Sequence, residues 1–140
     1  MDIVDPARRS RMMSGIRGKD TKPEMLVRRF LHAHGYRYRL HRKDLPGKPD
    51  IVIPRLKACI FVHGCFWHHH EGCSFAVLPK SRPDFWKAKL LANSSRDKQV
   101  IESLNDAGWT TIVIWECELR RPDASLQALL GRLRELEEQT

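Results

Sequence analysis

Twelve consecutive residues constrain this chain more than any others: Val62-His63-Gly64-Cys65-Phe66-Trp67-His68-His69-His70-Glu71-Gly72-Cys73. They hold four of its seven histidines and two of its four cysteines. They follow directly on Ala58-Cys59-Ile60-Phe61-Val62, an apolar run that reads as a buried strand. Reactive and metal-binding side chains therefore leave a strand end into a loop, where α/β proteins place binding sites. The residues alone are compatible with a structural metal that pins irregular chain and, equally, with a catalytic centre.

The ligand types point to zinc. Cys65, one loop histidine, Cys73 and Cys117 supply the four nitrogen or sulfur donors of a tetrahedral structural site. The spacing Cys65-x4-His70-x2-Cys73 makes His70 the best-placed histidine, with His68 and His69 as alternatives. Cys59, in the middle of its apolar run, reads as a buried apolar residue rather than a ligand. Reduced thiols fit a cytoplasmic protein, in which four cysteines suggest metal before disulfide. No apolar run approaches the ~20 residues that span a bilayer, and the charged N-terminus lacks the apolar segment of a secretory signal.

The chain has 140 residues and a net charge of +8. That charge is uneven: residues 1–57 carry fifteen Lys/Arg against six Asp/Glu, and the remainder ten against eleven. Such asymmetry favours a polyanion partner, nucleic acid first. Residues 1–20, with Arg8-Arg9-Ser10-Arg11-Met12-Met13 and Arg17-Gly18-Lys19, read as a basic arm that contacts a phosphate backbone. Residues 21–140 read as a single domain.

Within that domain, Thr21-Lys22-Pro23-Glu24 is a capping box, and Leu26, Val27, Phe30 and Leu31 form the apolar stripe of a helix that Gly35 ends. Residues 36–41 alternate as a half-buried strand. Strands follow at 50–53 and 58–62, joined as a hairpin. One helix is expected from Asp84 to near Leu91, and a second after Asn93 or Ser94, with Val100, Ile101, Leu104 and Ala107 inward. Trp109 to Trp115 is the most strand-like run. Asp123 caps a last helix carrying Leu126, Leu129, Leu130, Leu133 and Leu136. This order predicts a small α/β domain with a mixed sheet.

Asp50, directly after Pro49, can hold Mg²⁺ with phosphate and water completing the octahedron, and the hairpin brings it near Val62 and His63. A histidine there can accept a proton from an attacking water near neutral pH. Other pairings admit plainer explanations. Asp97 sits in the expected first turn of its helix, where negative charge is favoured anyway. Glu24 has its cap, and Trp67 and Trp86 suit a core.

Together, Pro46-Gly47-Lys48-Pro49-Asp50, the run Phe61 to His70, Phe85-Trp86, Arg96-Asp97 and Trp115-Glu116-Cys117 resemble the very-short-patch repair (Vsr) DNA mismatch endonucleases. Arg9-Ser10-Arg11-Met12-Met13 and Asp20 to Glu24 match in order and spacing, so the resemblance covers about residues 6–121. It implies a restriction-endonuclease-like fold and a Mg²⁺-dependent nick beside the T of a T:G mismatch left by 5-methylcytosine deamination. By matching position, Asp50 and the main-chain carbonyl of Val62 would bind Mg²⁺. His68, supported by Asp97, would act as base or orient the water, and Glu24 and His63 would hold metal-bound water. Zn²⁺ would sit on Cys65, His70, Cys73 and Cys117. Phe66, Trp67 and Trp86 would wedge beside the mismatch, Met13 approaching from the arm with Arg8 and Arg11 on the backbone. The expected partner is double-stranded DNA, bound by a monomer, with mismatch-repair proteins as further candidates. Two departures stand out. The loop reads His70-Glu71-Gly72-Cys73 where a fourth histidine and an immediate cysteine are usual, and Val62 replaces the usual Thr. A DNA-binding module without catalysis, or a nuclease of another specificity, are the competing readings.

Overall fold

The computed structural model describes residues 21–139. Helix α1 (Lys22–Ala33) begins at Thr21, whose side chain accepts a hydrogen bond from the Glu24 backbone N–H. It is followed by strands β1 (Arg39–Leu40), β2 (Ile51–Ile53) and β3 (Ala58–His63). Helix α2 (Pro83–Asp106), strand β4 (Thr110–Trp115) and helix α3 (Pro122–Gln139) complete the order. The sheet runs β1-β2-β3-β4, antiparallel across its first two pairings and parallel between β3 and β4. Parallel strands need a long crossover, and α2 lies within that connection.

Alternation along the strands builds two layers on the sheet. Ile51, Ile53, Ala58, Ile60, Ile112 and Ile114 pack on one face with Val27 and Leu31 of α1 and Leu126, Leu129, Leu130 and Leu133 of α3. Val52, Cys59, Phe61 and partly buried Val113 pack on the other with Leu104 and Val100 of α2. The sheet is thus flanked by helices on both faces. Cys59 is fully buried, as an apolar residue would be.

Four expectations change. The helix break at Asn93 and Ser94 is absent, and α2 runs straight through. Asn93 instead spends its side-chain amide on the Trp67 carbonyl, 3.1 Å away, a tertiary bond in place of a cap. The strand expected over 36–41 shrinks to Arg39–Leu40, because its partner β2 is only the three residues Ile51–Ile53, ended by Pro54. A ladder cannot extend past its partner, and proline donates nothing to one. In α1, Leu26 is exposed and Glu24 takes the buried position with Val27 and Leu31. Asp123 lies inside the first turn of α3, after Pro122, rather than capping it.

Candidate active site

The β1–β2–β3 register assembles the first half of the site. Ile51 lies opposite Ile60, so Asp50 arrives beside the C-terminal end of β3. The Val62 N–H donates to Asp50 Oδ2 at 2.8 Å, as the hairpin led one to expect. From the other side, the His41 N–H donates to the Asp50 carbonyl at 3.0 Å. Burial pushes the Asp50 carboxyl up to about 6, with the negative charge of Glu24 adding to it and the Val62 hydrogen bond opposing.

Glu24 is 2% exposed. Only half of its capping box forms: its backbone N–H is capped by Thr21, but its carboxylate turns inward. There it accepts from His41 Nε2 at 3.0 and 3.1 Å and from Arg28 at 3.2 Å. One ligand atom each from Glu24, His41 and Asp50 lie within 4.8 Å of one another. Two carboxylates this close favour either a shared proton or a cation.

The second half of the site is a histidine pair. His63 ends β3 and stacks flat on His68, with ring centroids 3.8 Å apart and planes 2° from parallel. His68 Nδ1 is 2.6 Å from Asp97 Oδ2. A carboxylate there accepts a hydrogen bond from Nδ1–H, the tautomer that leaves a lone pair on Nε2. Asp97 sits in the middle of α2, so helix-end electrostatics do not account for it. Burial, reinforced by His68, pushes His63 down to about 4, so this ring is neutral at physiological pH. Its Nδ1 is buried without a hydrogen-bond partner among the described residues. A buried polar atom in that state fits a position that a water or ligand completes. Both halves line one cleft of about 350 Å³, together with Lys48, Arg96, Phe66 and Trp67.

Immediately beside it lies the cysteine cluster. Three successive turns, His68 N–H to Gly64 O, His69 N–H to Phe66 O and His70 N–H to Cys65 O, fold the loop back so that His70 returns over Cys65. Cys117 arrives from the turn after β4, because β3 and β4 end together at His63 opposite Trp115. Its N–H donates to Cys65 Sγ at 3.3 Å, and its own Sγ lies 3.5 Å from His70 Nδ1. Cys65, His70, Cys73 and Cys117 each place a ligand atom within 4.8 Å of the others, the arrangement a metal ion would need. Among the histidines left open by spacing, His70 joins this group. His68 belongs to the Asp97 pair, and His69, at φ 49°, joins neither. His70 also stacks on Trp115 at 4.0 Å, which fixes its ring.

Phe66, Trp67 and Trp86 meet edge to face at the rim, with centroids 5.0 to 6.0 Å apart. Trp67 is buried, Trp86 and Phe66 partly so, and Phe85 is 45% exposed beside them. Met13, Arg8 and Arg11 lie outside the described residues. Sequence reasoning missed His41 and Arg28 as partners of Glu24. The signal for His41 was positional: it follows Leu40, which pairs with Ile51, and so faces Asp50.

The family model "DNA mismatch endonuclease Vsr" matches residues 1–74. A "Type II nicking enzyme V.XorIIP" from Xanthomonas oryzae pv. oryzae is 50% identical over 135 residues, 96% of each chain. The "DNA mismatch endonuclease Vsr" of Escherichia coli is 39% identical over 135 residues, 96% of this chain and 86% of its own. A "Type II nicking enzyme V.NmeAIP" from Neisseria meningitidis is 42% identical over 137 residues, covering 98% of this chain and 97% of its own. With more than half its length under the family model and relatives aligned almost end to end, the chain belongs to the Vsr DNA mismatch endonuclease family.

Proposed function

We propose that this protein is a DNA endonuclease that nicks one strand beside the T of a T:G mismatch, the product of 5-methylcytosine deamination, on a restriction-endonuclease-like domain. The observation that carries the proposal is the convergence of Asp50 and Glu24 with the His68–Asp97 pair on a single cleft. A DNA-binding module has no use for a buried, proton-hungry carboxylate facing an oriented imidazole. Relatives bearing the name nicking enzyme support cleavage of a single strand.

The oxygen donors suit Mg²⁺, which would be held by Asp50 and the main-chain carbonyl of Val62. Crowding of Asp50 by Glu24 is the kind of excess negative charge that a hard divalent ion relieves. When bound, the ion would supply Lewis-acid stabilisation of charge on the phosphate. The residues do the remainder. Asp97 orients His68, whose Nε2 accepts a proton from the attacking water, and neutral His63 holds the plane of that ring. Glu24 and His63 orient water in the cleft. The Cys65–His70–Cys73–Cys117 group offers the four nitrogen and sulfur donors that a structural zinc would take, and it would tie the loop bearing His68 to the end of β4. A monomer on duplex DNA is sufficient for this chemistry.

The aromatic group gives the mismatch its role. A mismatch is poorly stacked, so inserting apolar side chains there costs less than at a matched step. Trp86→Ala is expected to weaken T:G binding by roughly 1–3 kcal/mol, as for base–aromatic stacking, which is about 5- to 150-fold. The affinity for matched duplex should barely change, whereas Arg8→Ala and Arg11→Ala should weaken both duplexes and lower the salt slope. Melting curves run beside the binding curves separate this from packing. A destabilised Trp86→Ala protein with undiminished preference for T:G would return the ring to the core. Cleavage mapping over a panel of mismatches in random flanks tests the proposal itself: nicks should concentrate on T:G duplexes, in the strand carrying T.

A further inference from the structure

We infer that His41 is a positioning residue for the cation site, holding Glu24 and Asp50 together through its side chain and its backbone at once. The inference rests on the reading of Asp50 as a metal-binding carboxylate and extends it to a residue outside that set. Nε2 of His41 spans both oxygens of Glu24 at 3.0 and 3.1 Å, while its own N–H bonds the Asp50 carbonyl at 3.0 Å. Glu24 comes from α1 and Asp50 from the start of β2, so His41 is where these two elements are tied at the cleft. The backbone of His41 is left-handed, at φ 47°. That conformation is uncommon for residues other than glycine, although histidine, asparagine and aspartate adopt it more readily than most, and it persists where surrounding contacts over-determine it.

The geometry has a directional consequence. Glu24 is nearly fully buried, so its carboxylate cannot turn to water if a donor is removed. Arg28, one helical turn along α1, approaches from the other side at 3.2 Å and makes further contacts of its own. Without the imidazole, the carboxylate is drawn toward Arg28 and away from the approach to Asp50. Outer-shell partners that orient the groups around a metal site typically cost about 10- to 100-fold in metal affinity or activity when removed.

Two substitutions isolate the side-chain bond. His41→Asn suits the left-handed backbone but is too short for its amide to reach Glu24. His41→Gln carries an amide at about the position of Nε2. Mg²⁺ titration followed by melting temperature, without DNA, should show the midpoint displaced about 10- to 100-fold for His41→Asn and close to the parent for His41→Gln. Single-turnover nicking at limiting Mg²⁺ should follow the same order, with DNA affinity in EDTA unchanged. Parent-like midpoints in both variants would overturn the inference. Equal displacement in both would overturn it too, assigning the effect to the turn rather than to the bond with Glu24. Asp50→Asn is the control. If that variant keeps the Mg²⁺ response, the metal site itself has been misplaced; if it loses the response while His41→Asn does not, only the role of His41 fails.

Discussion

Asp50→Ala should still bind T:G DNA but nick it at least about 100-fold more slowly, the order of effect expected when a catalytic metal loses a carboxylate ligand. The aromatic rim is untouched by the change, so binding and chemistry separate. Asp50→Asn should show the same loss together with a gain in stability that an exposed or ion-paired aspartate would not give. The folded-state pKa of Asp50 is raised from 3.8 to about 6, which corresponds to at most about 3 kcal/mol. Because the pKa is raised, the folded protein holds this proton more tightly than the unfolded chain. Metal-free protein is therefore most stable on this account below about pH 4, and loses that stability as pH rises through 6. Asparagine can still accept the Val62 N–H and has no charge to bury. Melts in EDTA at pH 7 to 8 should place Asp50→Asn above the parent, and added Mg²⁺ should raise the parent alone. A variant that melts lower in EDTA and nicks at nearly the parent rate would move the metal site elsewhere.

The second large effect concerns the cysteine cluster. Cys73→Ser and Cys117→Ser should each lose a tightly bound zinc and fold poorly. Structural zinc contributes an apparent ~10–16 kcal/mol in small metal-folded domains, as much as the whole stability of a typical domain. Here the cluster joins the loop after β3 to the turn after β4, two segments without strand or α-helix of their own at these residues. Cys59→Ala is the comparison, since Cys59 lies in the apolar layer under α2 and well before the loop. It should keep the metal and lose only the stability of a small cavity. Metal analysis finding no zinc in well-folded parent protein would remove this assignment.

How much of this could be read from the residues depended on how local the cause was. The cap at Thr21, the β2–β3 hairpin and the Asp50–Val62 approach all follow from turn chemistry and register, and they form as expected. The cluster of Cys65, His70 and Cys73 follows from spacing, and Cys117 from the parallel pairing of β3 with β4. Two of the misses, at Asn93 and at Glu24, share a different origin. Asn93 and Ser94 look like helix-start residues, but the demand came from the Trp67 carbonyl across the cleft. Glu24 looks like half of a capping box, yet its carboxylate serves His41 and Arg28. In both, a polar side chain that could satisfy its own helix is taken by a distant element, and local pattern has no record of that. The pairing of His68 with Asp97 spans two elements as well, and only the family resemblance pointed to it.

The central claim is mismatch-directed chemistry at the Asp50 cleft. Its most direct test is a strand-resolved nicking assay on two otherwise identical duplexes, one with T:G and one with T:A, with Mg²⁺ and with EDTA. The account predicts a single break beside the T of the T:G duplex, present with Mg²⁺, absent in EDTA, and absent from T:A in both. Tight binding to T:G without any break, or equal cleavage of the two duplexes, would contradict it.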